Sequence, residues 1–415
     1  TVYPTNVKIN YNNIVGSGTY GLWVEDDVLE QVDARYNWWG NATGPYHPTL
    51  NPSGTGDEVY GNAAFRPWLL KEKVPPLVHD IAVINVASPS RVVVGTTVQV
   101  NVTIKNEGNT YETFDVSLYY DSQLIDTQTV TDMIPGQTEV LSFTWDTSGV
   151  PPCHDYTITA VAGSVVGETD LADNSKAVLV RVGELMTLKV EPSVVVGKIL
   201  GQIFSVNVTL NNVMPCWRVI AVQFRIRYDN TLLEFVNTTE GSFLNNFAQQ
   251  QSGSYGTFFV YTHDEDHPIY GPSVIVGVLI LPNATGYWST PFPEGSGTVA
   301  TINFLVKYQE RGLEKPPLTC ELMLVETDIF DDDGISVPHD IGNCVYIVWP
   351  TNIADINFDG KVDLKDYYTV TKAFGECPGR PRWNPDADLN NDGKVDLKDV
   401  YTCAKNFGWV QNPDP

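Results

Sequence analysis

At 415 residues the chain is too long for one hydrophobic core, and at roughly 100 to 200 residues per domain it should hold two to four domains. Lys and Arg number 25 against 50 Asp and Glu, so a net charge of −25 excludes nucleic acid and anionic membrane as natural partners and favours cations. No apolar run approaches the roughly 20 residues that span a bilayer, so no membrane span is expected, and Thr1 opens directly into patterned sequence, as in a mature chain or a fragment.

Residues 1–78 are rich in Asn, Gly and aromatics. Short strands of the form V-x-I-x-x-N-x-I followed by YG-L-V recur at about twenty residues, the spacing of coils in a stacked solenoid. With NWWGNATGP and FRPWLL after it, the pattern resembles the C-terminal end of right-handed parallel β-helix domains of secreted and surface proteins. Two or so coils are too few for a catalytic groove, and the tryptophans of NWWG are expected in the solenoid core. The resemblance implies that upstream coils or another chain cover the open end.

Residues 79–183 follow the breaker KEKVPPLVHD and contain seven alternating runs, from DIAVINV to SKAVLVRV, separated by turn residues. Seven short strands in about 100 residues predict an immunoglobulin-like sandwich. VQVNVTIKNEGN, SLYYDSQLI and ETDLADNSK resemble the cell-adhesion-related (CARDB) domain, which implies a rigid spacer on a surface protein.

Residues 184–350 form a larger β unit. FSVNVTL, AVQFRIRYDNTLLEFV, EGSFL and GSGTVATINF, in that order, resemble cohesin domains, which implies a nine-stranded sandwich that receives a dockerin on one sheet face. Two stretches depart from that pattern. The insert YTHDEDHPIYGP reads as a solvated loop in which His263, Asp264, Glu265, Asp266 and His267 are a minor metal candidate, and Asp331, Asp332 and Asp333 before Gly334 are a better calcium candidate.

The final segment, 351–415, repeats a phrase: DINFDGKVDLKD at 355–366 returns as DLNNDGKVDLKD at 388–399. A hard cation such as Ca²⁺ takes six to eight oxygens, which a twelve-residue loop supplies from positions 1, 3, 5, 7, 9 and 12 with Gly at 6. The first copy offers Asp355, Asn357, Asp359, the Lys361 carbonyl, Asp363 and Asp366, and the second Asp388, Asn390, Asp392, the Lys394 carbonyl, Asp396 and Asp399. Two ions are therefore expected. Magnesium, which rarely takes an all-protein cage, is disfavoured. Prolines before each loop exclude an entering helix, whereas LKDYYTVTKAFG and LKDVYTCAKNFG fit exiting helices that end at Gly. A duplicated half EF-hand resembles the type I dockerin domain. The resemblance places Leu364, Lys365, Leu397 and Lys398 where dockerins contact their cohesin, although Leu-Lys replaces the Ser-Thr common in the family.

Five sequons, at Asn41, Asn101, Asn207, Asn237 and Asn283, are candidate glycosylation sites. Strand alternation turns Asn101 and Asn207 away from the inward residues Val98, Val100, Val102, Ile104 and Phe204, Val206, Val208. Six cysteines allow fifteen pairings. Nearness in sequence favours Cys377 with Cys403 and Cys320 with Cys344, leaving Cys153 and Cys216 to bridge two domains or stay free.

The chain thus reads as mainly β and multidomain: a β-helix end, an Ig-like sandwich, a cohesin-like sandwich and a small α-helical dockerin with two calcium loops. No Gly-x-Ser-x-Gly elbow, zinc-spaced His pair or Cys/His constellation is present, so no catalytic residue is assigned and no enzyme is expected. The expected function is an extracellular structural subunit that assembles head to tail, as a filament or surface layer, through calcium-dependent contacts between copies. The alternative is a secreted, cellulosome-like scaffold or adhesin that binds other surface proteins or polysaccharide.

Overall fold

The computed structural model describes residues 5–197, 199–251, 256–283, 288 and 291–411. It is mainly β, with three short α-helices among the described residues: α1 (Ser242–Gln250), α2 (Leu364–Lys372) and α3 (Leu397–Lys405). The chain divides into two compact units, one of Thr1–Asp80 with Gly108–Tyr111 and Val166–Thr169, the other of the remaining residues.

In the first unit the short strands pair in parallel, Leu22–Trp23 with Val59–Tyr60 and Val32–Asp33 with Ala63–Ala64. A parallel bridge from Lys8 to Asp33 adds a third pass of the chain, so residues 8, 33 and 64 stack at spacings wider than the expected twenty. Val32, Ala34, Val59, Ala63 and Phe65 fill the space between the passes, and Trp39 of NWWG is fully buried among them. The buried amide of Asn37 accepts from the Asn12 amide at 2.8 Å and donates to the Ala34 carbonyl at 2.8 Å, so a side chain continues the bonding between passes where no strand runs.

The second unit begins with two sheets that share one core. Thr138–Asp146, Thr97–Asn106 and Ile81–Ala87 form one; Arg91–Val93, Ser175–Gly183, His154–Ala162, Glu112–Tyr120 and Gln123–Met133 form the other. All seven expected runs are strands, and Arg91–Val93 is added by parallel pairing to residues 181–183. Alternation sends Val100, Val102 and Ile104 inward against Val116, Leu118 and Ile158, all fully buried.

Residues 186–348 form a second sandwich. Its five-stranded sheet runs Leu233–Glu240, Gly295–Val306, Ile203–Val213, Met186–Glu191, His339–Gly342. Its six-stranded sheet runs Val194–Val196, Cys344–Val348, Leu318–Asp331, Val219–Arg227, Gly271–Ile280, Thr257–His267. Parallel edge strands at Val194–Val196 and His339–Gly342 carry the count beyond the expected nine. The insert expected as a loop is instead a hairpin, because Thr257–His267 pairs with Gly271–Ile280. His263 has its ring against Phe235 and Nε2 2.7 Å from the Tyr228 hydroxyl, a contact that occupies the imidazole.

The cysteines pair differently from the expectation for two of the three candidate bridges. Cys153 and Cys216 are joined, tying the first sandwich to the second, while Cys320, Cys344, Cys377 and Cys403 are thiols. Cys320 lies opposite Tyr346 and Cys344 opposite Leu322, which makes the two cysteines diagonal neighbours, roughly 7–8 Å apart, too far for a bridge. Cys403 is taken up by the small core of the last segment. Burial pushes the thiols of Cys320, Cys344 and Cys403 up to about 11, so they stay neutral and unreactive.

Beside the disulfide the calcium candidate Asp331–Asp333 meets a different kind of cation. Asp331 is fully buried and pairs with Arg91 and with Arg181, the latter at 3.4 Å; Asp333 pairs with Arg91 at 2.7 Å and Arg218 at 2.8 Å, and Asp332 with Arg218 at 2.9 Å. Three guanidiniums, one of them shared with Asp155 at 2.8 Å, hold the three carboxylates, so their oxygens face arginines where a metal would have to sit. Trp217 completes the joint: its indole donates to the Glu184 carbonyl at 2.8 Å and sits where a Cβ on Gly183 would come to 2.4 Å. Replacing Asp331 by Ala removes the fully buried countercharge of Arg91 and Arg181 and leaves them the half-exposed Asp333 and Asp155, and urea unfolding should show a loss of about 3 kcal/mol.

Candidate functional site

The final segment is built twice on one plan. Ala354, Ile356, Val362 and Val370 share a core with Ala387, Leu389, Val395 and Cys403, their counterparts in the second copy. The pairing is reciprocal: the Val362 amide donates to the Trp409 carbonyl after α3, and the Gly375 amide after α2 donates to the Val395 carbonyl. Each half therefore closes the other, which neither could do alone.

Each loop folds around its first and last carboxylates. Asp355 accepts from the amides of Asp359 at 3.2 Å and Gly360 at 3.1 Å, and Asp388 from Asp392 at 3.1 Å and Gly393 at 2.8 Å. Asp366 reaches back to the amides of Ile356 at 2.8 Å and Asp363 at 2.9 Å, and Asp399 to Leu389 and Asp396, both at 2.8 Å. Asp363 and Asp396 cap α2 and α3 by accepting from Lys365 and Lys398 at 2.8 Å, so a capping box starts each helix inside its loop. The turns at Gly360 and Gly393 have φ of 83° and 85°, open to Gly at no steric cost.

The donor set is all oxygen and its charge is partly buried. Asp355, Asp366 and Asp399 are fully buried, and burial pushes the Asp355 carboxyl above its usual range. Oδ1 of Asp359 is buried without a hydrogen-bond partner, an orphan oxygen beside carboxylates of the same loop. Among the described residues Asp331–Asp333 is the trio with oxygens within 4.8 Å of one another, and arginines already hold it. The loops instead offer short oxygen-bearing side chains around a Gly turn, the donor type that a hard divalent cation takes.

The four residues expected to contact a partner are outside this core. Leu364 and Leu397 are each 72% exposed, and the ammonium groups of Lys365 and Lys398 lie 3.3 Å from Asp359 and Asp392. One helical turn on, Tyr368 and Tyr401 are also exposed, and sequence reasoning missed them. Their signal was an aromatic at the same place in both copies, four residues after each leucine.

Of the sequons, Asn41, Asn207 and Asn237 are exposed and Asn101 and Asn283 partly so; the sequon of Asn283 runs into residues outside the described ones. Asn207 and Asn237 lie on the outer face of the five-stranded sheet, where Asn207 accepts from Thr301 at 2.8 Å and Asn237 from Asn303 at 2.6 Å.

Three family models match the chain: CARDB over residues 78–178, cohesin domain over 189–316 and dockerin type I domain over 353–407. The chain carries these three domains in tandem. Cohesin and dockerin domains bind each other, and type I dockerins bind calcium, so the two domains indicate protein–protein assembly through cohesin–dockerin contacts. CARDB, cohesin and dockerin are interaction domains without catalysis of their own, and the last two are typical of extracellular and cell-surface proteins. No described helix is long and apolar enough to cross a membrane. Among curated proteins none matches the chain. Solved structures similar to parts of it include a non-cellulosomal cohesin from the hyperthermophilic archaeon Archaeoglobus fulgidus (19% identity, 40% of this chain and 91% of that one, TM-score 0.28). A chain of a type I cohesin–dockerin complex from Clostridium thermocellum (13%, 40% and 94%, 0.30) and a CARDB domain from Pyrococcus furiosus in complex with di-metal ions (23%, 27% and 99%, 0.24) are also similar.

Replacing Asp363 or Asp396 by Ala removes a capping box, and each change should lower the stability of the dockerin domain by about 1 kcal/mol, read as lost helical circular dichroism on heating.

Proposed function

We propose that this protein is an extracellular subunit whose dockerin enters the cohesin of a second copy, so that copies add head to tail into a filament or surface layer. The observation that carries this reading is that both contact surfaces of the pair are exposed in one chain. Leu364, Tyr368, Leu397 and Tyr401 are open on the dockerin, which its own cohesin holds at other residues, Arg311 at Ile356 and Gln309 at Gln411. A heterologous contact of this kind repeats until it closes a ring or runs on as a fibre.

The two outer faces of the cohesin sandwich differ, and the difference supports a choice of receiver. On the five-stranded sheet Ser205, Asn207, Asn237, Thr301 and Asn303 bond to one another, and two sequons lie there. Such a face is satisfied without a partner and open to glycans. The six-stranded sheet exposes Phe258 (55%) and Val260 (46%), paired across to Leu279 and Gly277. We assign the docking face to this sheet, because burying apolar area drives association.

Under this reading each twelve-residue loop binds one calcium ion, through Asp355, Asn357, Asp359, Lys361 carbonyl, Asp363 and Asp366 and through Asp388, Asn390, Asp392, Lys394 carbonyl, Asp396 and Asp399. The domains run 1–78, 79–183, 184–350 and 351–415. The parallel stacking of residues 8, 33 and 64 supports reading residues 1–78 as a β-helix end.

Negative-stain microscopy should show filaments or sheets in calcium that disperse in chelator; monomers under both conditions would overturn the self-assembly and favour a scaffold for other proteins. Replacing Leu364 and Leu397 together by Asp, or Val260 by Asp, should weaken association at least thirtyfold, about 2 kcal/mol, in sedimentation experiments.

A further inference from the structure

The two calcium loops differ at two of their twelve positions, Ile356 against Leu389 and Phe358 against Asn391. The first exchange keeps an apolar side chain and the second does not. Phe358 and Asn391 both have left-handed backbone, with φ of 55°. Asn adopts it readily, whereas Phe is disfavoured by roughly 1–2 kcal/mol because its Cβ crowds the next carbonyl. A residue kept against its backbone preference marks a place where something else holds it.

Arg311, from the cohesin segment between Gly295–Val306 and Leu318–Asp331, is what Phe358 meets. Its guanidinium lies 4.5 Å from the ring centroid, donates to the Ile356 carbonyl at 3.2 Å and the Asp386 carbonyl at 3.1 Å, and pairs with the Asp386 carboxylate at 3.1 Å. Loop one is crowded on the same side: a Cβ on Gly360 would come to 3.2 Å from Ile199, whereas a Cβ on Gly393 of loop two would meet open space. Gln309 donates to the Gln411 side chain at 3.3 Å, and backbone bonds from Gly312 to the Thr351 carbonyl (2.9 Å) and from Thr351 to the Glu310 carbonyl (2.8 Å) close the seam.

We propose that the near-identical loops have separate duties: loop one, gripped by the positioning residue Arg311, sets the angle of the dockerin on its own cohesin, and loop two stays outside that joint, which reaches the second half at Asp386, ahead of the loop. The inference rests on reading both loops as calcium sites. Emptying loop one then loosens Ile356, Phe358 and Gly360 together and frees the dockerin to swing. Rigid joints make assembled copies repeat at one angle; a loosened joint lets the angle vary.

Hydrogen exchange on the full chain in calcium chloride, read at the amides of Gly312 and Thr351, tests this. Arg311→Ala and Phe358→Asn, neither of which removes a calcium oxygen, should each speed exchange there at least about tenfold while calorimetric calcium uptake stays at the wild-type stoichiometry. Asp388→Ala should lose one calcium ion and leave those amides protected. Unchanged exchange in Arg311→Ala, or equal acceleration in Asp388→Ala, overturns the division of duties. Absence of calcium uptake by the wild type would instead overturn the reading of the loops, and Arg311→Ala would then decide the joint by itself.

Discussion

Carboxylates placed in the interior of a very small domain are the constraint on which the docking end of this molecule depends. Asp355, Asp366 and Asp399 are fully buried and Asp388 nearly so. Backbone amides satisfy part of each charge, and like charges in one loop repel strongly unless a divalent ion offsets them. The same carboxylates start the helices, because the twelfth residue of each loop is also the third residue of its helix and closes the capping box. Under the proposed reading, metal binding, helix formation and the presentation of Leu364 and Leu397 are coupled in each half.

Rigidity upstream of that end comes from a different pairing of charge. Asp331 is buried between Arg91 and Arg181, which come from the CARDB sandwich, while Asp331 itself ends a cohesin strand. Such an ionic cluster contributes little net stability relative to an apolar joint of the same shape, but it disfavours a mispacked arrangement of the two domains, which would keep charge buried without its partner. The Cys153–Cys216 bridge and Trp217 over Gly183 act at the same joint. A CARDB domain held in this way transmits orientation, which suits a spacer in an ordered assembly better than a free linker would.

The cohesin domain divides its two outer faces by chemistry. Thr, Ser and Asn side chains on the five-stranded sheet form a self-bonded polar ladder beside an exposed Ile203, and on the six-stranded sheet Phe258 and Val260 are exposed together on one strand. Alternation in the strands built both faces, yet it could not say which of two outward sets a partner would take. That distinction depends on which strands lie side by side.

The loop turns, the exiting helices and their Gly ends were legible in the sequence because each lies within twelve or so residues and obeys local geometry: Gly where φ is positive, Asp where a helix starts. The seven strands of the CARDB domain were legible for the same reason, period-two alternation between turns. What the sequence left open is long-range. Nearness along the chain suggested Cys320 with Cys344, but register set them one diagonal apart, and Cys153 found Cys216 across a domain boundary. Asp331–Asp333 read as calcium ligands until the fold brought three arginines to them from far along the chain. By itself, then, the sequence determined the acidic loop pattern and the strand pattern, both fixed by neighbours. Only the tertiary structure decided which cysteines, charges and loop would serve as joints, because a joint depends on residues that meet through packing and not through spacing.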